Sequence, residues 1–180
     1  MAKAEATLYL ATPRLVDAAD ADALHDVAGR ADLACVLVRL AAEPDARLQQ
    51  AVARLRQLAQ ARDAAVVMDG RSDAAADGVQ VAAVGDYAAA RRAVGAGAIV
   101  GVACATRHEA MEAAEQGADY ILFGDPDDPA PGERTLALVE WWASLMTVPC
   151  VAAGAATPDD VARLRAAGAD FVMVGPELAA

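Results

Sequence analysis

The chain has 180 residues, 57% of them apolar and only 4% aromatic, and carries a formal net charge of −11. That length bounds it to one domain covering residues 1–180, and the apolar content excludes a disordered chain. The acidic balance and the scarcity of aromatic rings exclude a nucleic-acid binder, which needs a basic face or a stacking platform. They leave room for a small phosphorylated ligand held at a local site.

Short runs rich in β-branched residues alternate along the chain with longer alanine-rich segments. Strands are predicted at Thr7–Ala11, Ala34–Leu40, Ala65–Asp69, Gly78–Ala82, Ile99–Ala103, Tyr120–Gly124, Val148–Ala152 and Phe171–Gly175. Most are continuously apolar, the pattern of parallel strands covered on both faces. The segments between them read as helices. In Asp45–Arg62, Leu48, Val52, Leu55 and Leu58 recur at spacings of three and four, with arginines on the other face. Arg107–Gln116 and Pro158–Ala167 are similar and end at glycines, and Thr157-Pro158 opens the latter with a cap and an N1 proline. The uncharged stretch from Trp141 to Pro158 contains Ser144, Thr147, Pro149 and Gly154. It therefore reads as a helix end, a strand and a loop, and no membrane span is expected. Cys35, Cys104 and Cys150 lie far apart in apolar runs without metal or disulfide spacing. They are expected to be buried thiols in a reducing, cytoplasmic setting.

A near-repeat fixes the period. Gly117-Ala118-Asp119-Tyr120 and Gly168-Ala169-Asp170-Phe171 each lead into an apolar strand ending in glycine, and Ala76-Asp77-Gly78-Val79 is a weaker echo. The two clear copies are two β-α units apart. Eight strands in β-α alternation predict a (β/α)8 TIM barrel. An open doubly wound sheet is the alternative, but the first strand runs into Thr12-Pro13-Arg14, with no glycine-rich turn. Such barrels usually need about 250 residues. The shortfall falls at Gly70–Asp77, too short for a third helix, and at Pro176–Ala180, which leaves little of an eighth. An open flank at strands one and eight predicts a homodimer that covers it.

Barrel chemistry sits at the C-terminal ends of the strands. Arg39, within Val36-Leu37-Val38-Arg39-Leu40, must be paired or face a wet cavity. It is a candidate anion clamp, or a structural partner of Asp69 on the next strand. Asp69, ending Val66-Val67-Met68-Asp69, could hold Mg²⁺ or orient Arg39. Gly154-Ala155 and Val174-Gly175, closing strands seven and eight, are candidates for a phosphate cup, with ordinary turn glycines as the plainer reading. His25 and His108 fall in helical segments and are expected on solvated faces. No zinc spacing or Ser-His-Asp arrangement is present, and Lys3 is the only lysine, which excludes a Schiff base on a barrel strand.

These motifs resemble the thiamine-phosphate synthase / TenI family, (β/α)8 barrels of thiamine biosynthesis. Leu8-Tyr9-Leu10-Ala11-Thr12 is similar to the opening Leu-Tyr-Leu-Val-Thr, Arg39 to the arginine of Gln-Leu-Arg-x-Lys, and Asp69 to the aspartate of Asn-Asp. Ala76-Asp77-Gly78-Val79-Gln80 is similar to Ala-Asp-Gly-Val-His, and Gly101-Val102-Ala103-Cys104-Ala105-Thr106 to Gly-Val-Ser-x-His-Thr. Gly117-Ala118-Asp119-Tyr120, Val148-Pro149-Cys150-Val151-Ala152-Ala153-Gly154 and Ala167-Gly168-Ala169-Asp170 resemble the late motifs most closely.

The resemblance implies a transferase that joins a pyrimidine methyl-diphosphate to a thiazole phosphate and releases pyrophosphate. It implies Mg²⁺ on two aspartates, here Asp69 and Asp86, and a small phosphorylated ligand as partner. The chain departs from the pattern at several points. Leu37 replaces the strand-two glutamine, Ala41 its lysine, Ala103 the serine and Ala105 the histidine. Asp125-Pro126-Asp127-Asp128 follows strand six, where a threonine and lysine are expected. Two readings follow: an active synthase with a rebuilt site, or a catalytically inactive ligand-binding or regulatory relative.

Overall fold

The computed structural model describes residues 7–29, 32–128 and 130–179. Eight parallel strands, β1 (Thr7–Leu15), β2 (Leu33–Leu40), β3 (Ala65–Asp69), β4 (Gly78–Val81), β5 (Ile99–Ala103), β6 (Tyr120–Phe123), β7 (Cys150–Ala155) and β8 (Phe171–Val174), close into a barrel in sequence order. Helices α1 (Ala18–Asp22), α2 (His25–Ala28), α3 (Ala46–Gln60), α4 (Tyr87–Val94), α5 (Arg107–Gln116), α6 (Glu133–Leu145), α7 (Pro158–Ala166) and α8 (Pro176–Ala179) surround it. The expected (β/α)8 barrel is therefore present. Its two economies are where the sequence places them, with no helix between β3 and β4 and a single-turn α8 at the end.

Alternation along the strands produces two cores. Inside the barrel, Tyr9, Ala11, Cys35, Leu37, Val67, Tyr120, Leu122, Val151, Ala153 and Met173 pack together. Outside it, Leu10, Val36, Val38, Val66, Met68, Val79, Val100, Val102, Ile121 and Val172 meet the helices. Both faces of the strands are thus buried, which is why so few of them alternate in polarity. In the interior, Tyr9 and Tyr120 share a hydroxyl–hydroxyl hydrogen bond of 2.9 Å. Gly101 makes room for it: a Cβ there would lie 2.0 Å from Cζ of Tyr120. Burial pushes the Cys35 thiol up to about 12, and Cys104 and Cys150 are likewise buried.

The near-repeat has a structural purpose. Before β4, β6 and β8 an aspartate turns back onto the preceding strand. The carboxylate of Asp77 accepts the N–H of Val66 at 2.7 Å, that of Asp119 the N–H of Val100 at 2.8 Å, and that of Asp170 the N–H of Cys150 at 2.9 Å. The backbone N–H of each aspartate donates to the carbonyl of the same residue. Three even strands are thereby tied to their odd neighbours at the N-terminal end of the barrel, opposite the face where barrel chemistry sits.

Several expectations need correction. β1 continues to Leu15, so Thr12-Pro13-Arg14 lies inside the strand and not in a turn; it crosses a register shift against β2 between Ala11 and Arg14. β7 begins at Cys150 instead of Val148, because Pro149 has no N–H to give the ladder, and it extends through Gly154 to Ala155. His25 is half-buried, not solvated, with Nε2 3.3 Å from the carbonyl oxygen of Ala51. The open flank is also absent: Leu10, Val172 and Val174 on the outer faces of β1 and β8 are 0–2% exposed, with Leu178 and Ala179 of α8 packed in the same cluster. Among the described residues the open flank from which a homodimer was expected is therefore not found.

Asp119→Ala is expected to lower stability by roughly 1–3 kcal/mol, because the Val100 amide, in a fully buried residue, would lose its carboxylate acceptor. Thermal or urea unfolding measures it. Anion binding should be unchanged, since Asp119 lies at the other end of the barrel. A variant as stable as the parent would contradict the clasp.

Candidate functional site

Inward-facing positions place Arg39, Asp69 and Gln80 at the C-terminal ends of β2, β3 and β4. All three line a cavity of about 510 Å³ at the barrel mouth. Its apolar wall includes Leu37, Ala103, Cys104 and Leu122. The β6–α6 loop supplies Asp125, Pro126, Asp127 and Asp128, and α6 supplies Arg134 and Thr135.

Arg39 is 4% exposed. Its guanidinium reaches Oδ2 of Asp127 at 2.5 Å through Nη2 and lies 3.8 Å from Oδ2 of Asp69 through Nε. Arg14 completes the group, 3.9 Å from Asp69 and 3.8 Å from Asp127. Two arginines and two aspartates thus form one neutral network, held from below by Thr12. The buried Thr12 hydroxyl accepts the Arg39 backbone N–H at 3.0 Å and donates to the Pro13 carbonyl at 2.8 Å. The Arg39 guanidinium holds the Asp127 carboxyl below its ordinary range, with Arg14 adding to the effect. The contact to Asp127 therefore persists at neutral pH and loosens only as pH falls below that range.

Both proposed roles of Arg39 are compatible with this geometry. It does pair with Asp69 across β2 and β3, and it also faces the cavity. Its shortest contact, however, is to Asp127, in the loop that sequence alone marked only as acidic. The carboxylate of Asp127 stands where an anionic ligand would meet the guanidinium.

Gly154, Ala155, Val174 and Gly175 come together in a second, smaller cavity of about 190 Å³. Arg39, Pro126 and Asp127 line this cavity as well as the first, so the two meet across the Arg39–Asp127 contact. Gly154 adopts φ +95°, and a Cβ there would come within 3.2 Å of Pro131, so glycine is required where the loop closes over β7. The cup is not purely electropositive. Glu177 lines it, and its Oε2 lies 2.8 Å from where a Gly175 Cβ would be.

Asp86 lies apart. It ends the short 3₁₀ turn Val84–Asp86, is exposed, and is not among the residues lining the mouth. Asp69 is shared between Arg14 and Arg39. Among the described residues no three His, Cys, Asp or Glu side chains are grouped to hold a metal. The two aspartates that the resemblance implies are thus not brought together as a resident Mg²⁺ site. Cys104 is no nucleophile: burial, with Glu109 nearby, pushes its thiol up to about 12.

Sequence reasoning missed four contributors. Arg14 follows Pro13, which suggests a turn, and its place on β1 brings it to Asp69. Gln80 stands at the end of the fourth strand in the sequence, and its parity with Asp69 across the ladder marks it as inward-facing. Asp127 and Arg134 are brought to the mouth by a loop and the first turn of α6, for which strand periodicity gives no signal.

The fold and this mouth define a compact (β/α)8 barrel organised around a buried arginine at the C-terminal ends of β2 and β3. The chain belongs to the thiamine monophosphate synthase family, whose model matches residues 8–178. It is 44% identical over 182 residues to a thiamine-phosphate synthase of Rhodospirillum centenum, covering 93% of this chain and 86% of that protein. It is 34% identical to one of Hyphomonas neptunium, covering 93% and 83% respectively. A solved thiamine phosphate pyrophosphorylase from Pyrococcus furiosus has the same fold, with a TM-score of 0.74 at 24% identity over 96% of this chain and 87% of that one. No helix among the described residues is long and apolar enough to cross a membrane.

Asp127→Asn is expected to tighten binding of inorganic pyrophosphate several-fold to about tenfold, because it removes the charge that competes for Arg39 without removing the loop. Titration calorimetry at low ionic strength measures this. Unchanged or weaker binding would contradict the competition.

Proposed function

We propose that the protein carries out the thiamine-phosphate synthase reaction, joining a pyrimidine methyl-diphosphate to a thiazole phosphate with release of pyrophosphate. The observation that carries this reading is the pair of adjoining cavities, one of about 510 Å³ and one of about 190 Å³, that share Arg39. Such a condensation needs two phosphorylated partners side by side and a cation where the leaving diphosphate gathers charge. Arg39 is that cation. Its backbone is fixed by Thr12 and by its strand, so the guanidinium itself need not move when an anion replaces Asp127. The larger cavity has an apolar wall suited to a ring, and the smaller has the Gly154 and Gly175 backbone suited to a phosphate.

For Arg39 to act on an anion, Asp127 must leave it. Arg14 then becomes a second cation at the same place, with Asp69 holding it near Arg39. Arg134, at the rim of the same cavity, is a third. These three arginines take the place of the lysines that the family pattern leads one to expect.

One observation favours a second reading, that of a ligand-binding relative without turnover. The mouth has five lining carboxylates, Asp69, Glu109, Asp125, Asp127 and Asp128, against three arginines. A single assay separates the two. Purified protein is given pyrimidine diphosphate and thiazole phosphate, with and without Mg²⁺, and pyrophosphate release is followed alongside binding of each substrate. Turnover that falls about tenfold or more in kcat/KM for Arg39→Lys supports the synthase reading, because a point charge cannot reproduce the fork of the guanidinium. Binding without release supports the ligand-binding reading. Neither binding nor release would overturn both.

A further inference from the structure

Gln80 is 2% exposed, and its side-chain oxygen Oε1 is buried without a hydrogen-bond partner. Every other polar group of this residue near the site is occupied. The amide Nε2 donates to the Val81 carbonyl at 2.9 Å, and the Gln80 carbonyl accepts the Gly70 N–H at 2.8 Å. The Nε2 contact also fixes the sense of the amide, because only the NH₂ end can donate to a carbonyl. Oε1 is therefore an acceptor left over, in a side chain that forms part of the wall of the larger cavity. A buried acceptor without a donor is destabilising, and at a cavity wall it points to a donor supplied from within that cavity.

We propose that Gln80 determines ligand specificity by accepting an N–H from a flat ring held in the larger cavity. The surroundings define that ligand. Leu37, Ala103 and Leu122 offer apolar wall for a ring. Asp69 lies directly across the β3–β4 ladder from Gln80, and its partner Arg39 marks the anionic end. A ligand that fits all three features carries an anion at one end, a heteroaromatic ring in the middle, and a ring or exocyclic N–H toward Gln80. The family pattern has histidine at this position, so the fixed amide acceptor is a feature of this chain.

The inference rests on the synthase reading for its ring and is tested by two probes, a pyrimidine methyl-phosphate with an amino substituent and the same compound with hydrogen in its place. Calorimetry on the parent chain should show the amino compound binding about tenfold more tightly. Gln80→Leu should abolish that preference while still binding inorganic pyrophosphate. Its thermal stability should be equal or higher, since an unpaired acceptor is replaced by an apolar group. A purely structural glutamine would give the opposite sign, with stability lost and preference kept. Equal binding of both probes by the parent, or a preference retained in Gln80→Leu, would overturn the role of Gln80 alone. If neither probe binds the parent, the synthase reading falls and the inference falls with it.

Discussion

A guanidinium buried at the end of an apolar strand constrains everything at the mouth of this barrel. Beyond Arg39 the strand ends within one residue, at Leu40, and on its inner side Leu37 and the barrel core lie below it. A charge so placed must be neutralised or hydrated. Asp69 on the neighbouring strand contributes at 3.8 Å, but the closer partner, Asp127, comes from a loop. The need to satisfy one buried cation thus draws the β6–α6 loop across the opening. Thr12 and Arg14 of β1 join the same network, and the Arg39–Asp127 contact lies between the two adjoining cavities.

That arrangement changes the meaning of the acidic loop. Taken as free charge, Asp125-Pro126-Asp127-Asp128 would repel a diphosphate. In the structure, Asp127 already lies on two arginines, so its field at the mouth is largely cancelled. A ligand anion meets a competitor more than a repulsive wall. Competition can be relieved by movement of a loop, whereas a buried unpaired carboxylate on a strand could not be.

The sequence made the barrel legible because its strands are buried on both faces and its turns repeat. The Gly-Ala-Asp copies reveal themselves as strand clasps at Asp119 and Asp170, with Asp77 as the same device in a segment too short for a helix. Arg39, Asp69, Gly154 and Gly175 were legible because a strand-end position in a barrel is a place as well as a residue. The rest was not. Arg14 was hidden by a strand that runs through a proline, and Asp127 and Arg134 by the freedom of a loop to fold in any direction. Gln80 was hidden because an unpaired acceptor is visible only once every other hydrogen bond is known. The expected open flank failed for a simpler reason: four residues of α8, with the other helices, suffice to cover β1 and β8.

Arg39 is thus an anion site that the protein's own carboxylate occupies. A crystal structure of the protein grown with inorganic pyrophosphate tests it most directly. Pyrophosphate oxygens are expected on the Arg39 guanidinium, with Asp127 turned away from it. Pyrophosphate bound elsewhere, with the Arg39–Asp127 contact intact, would contradict it.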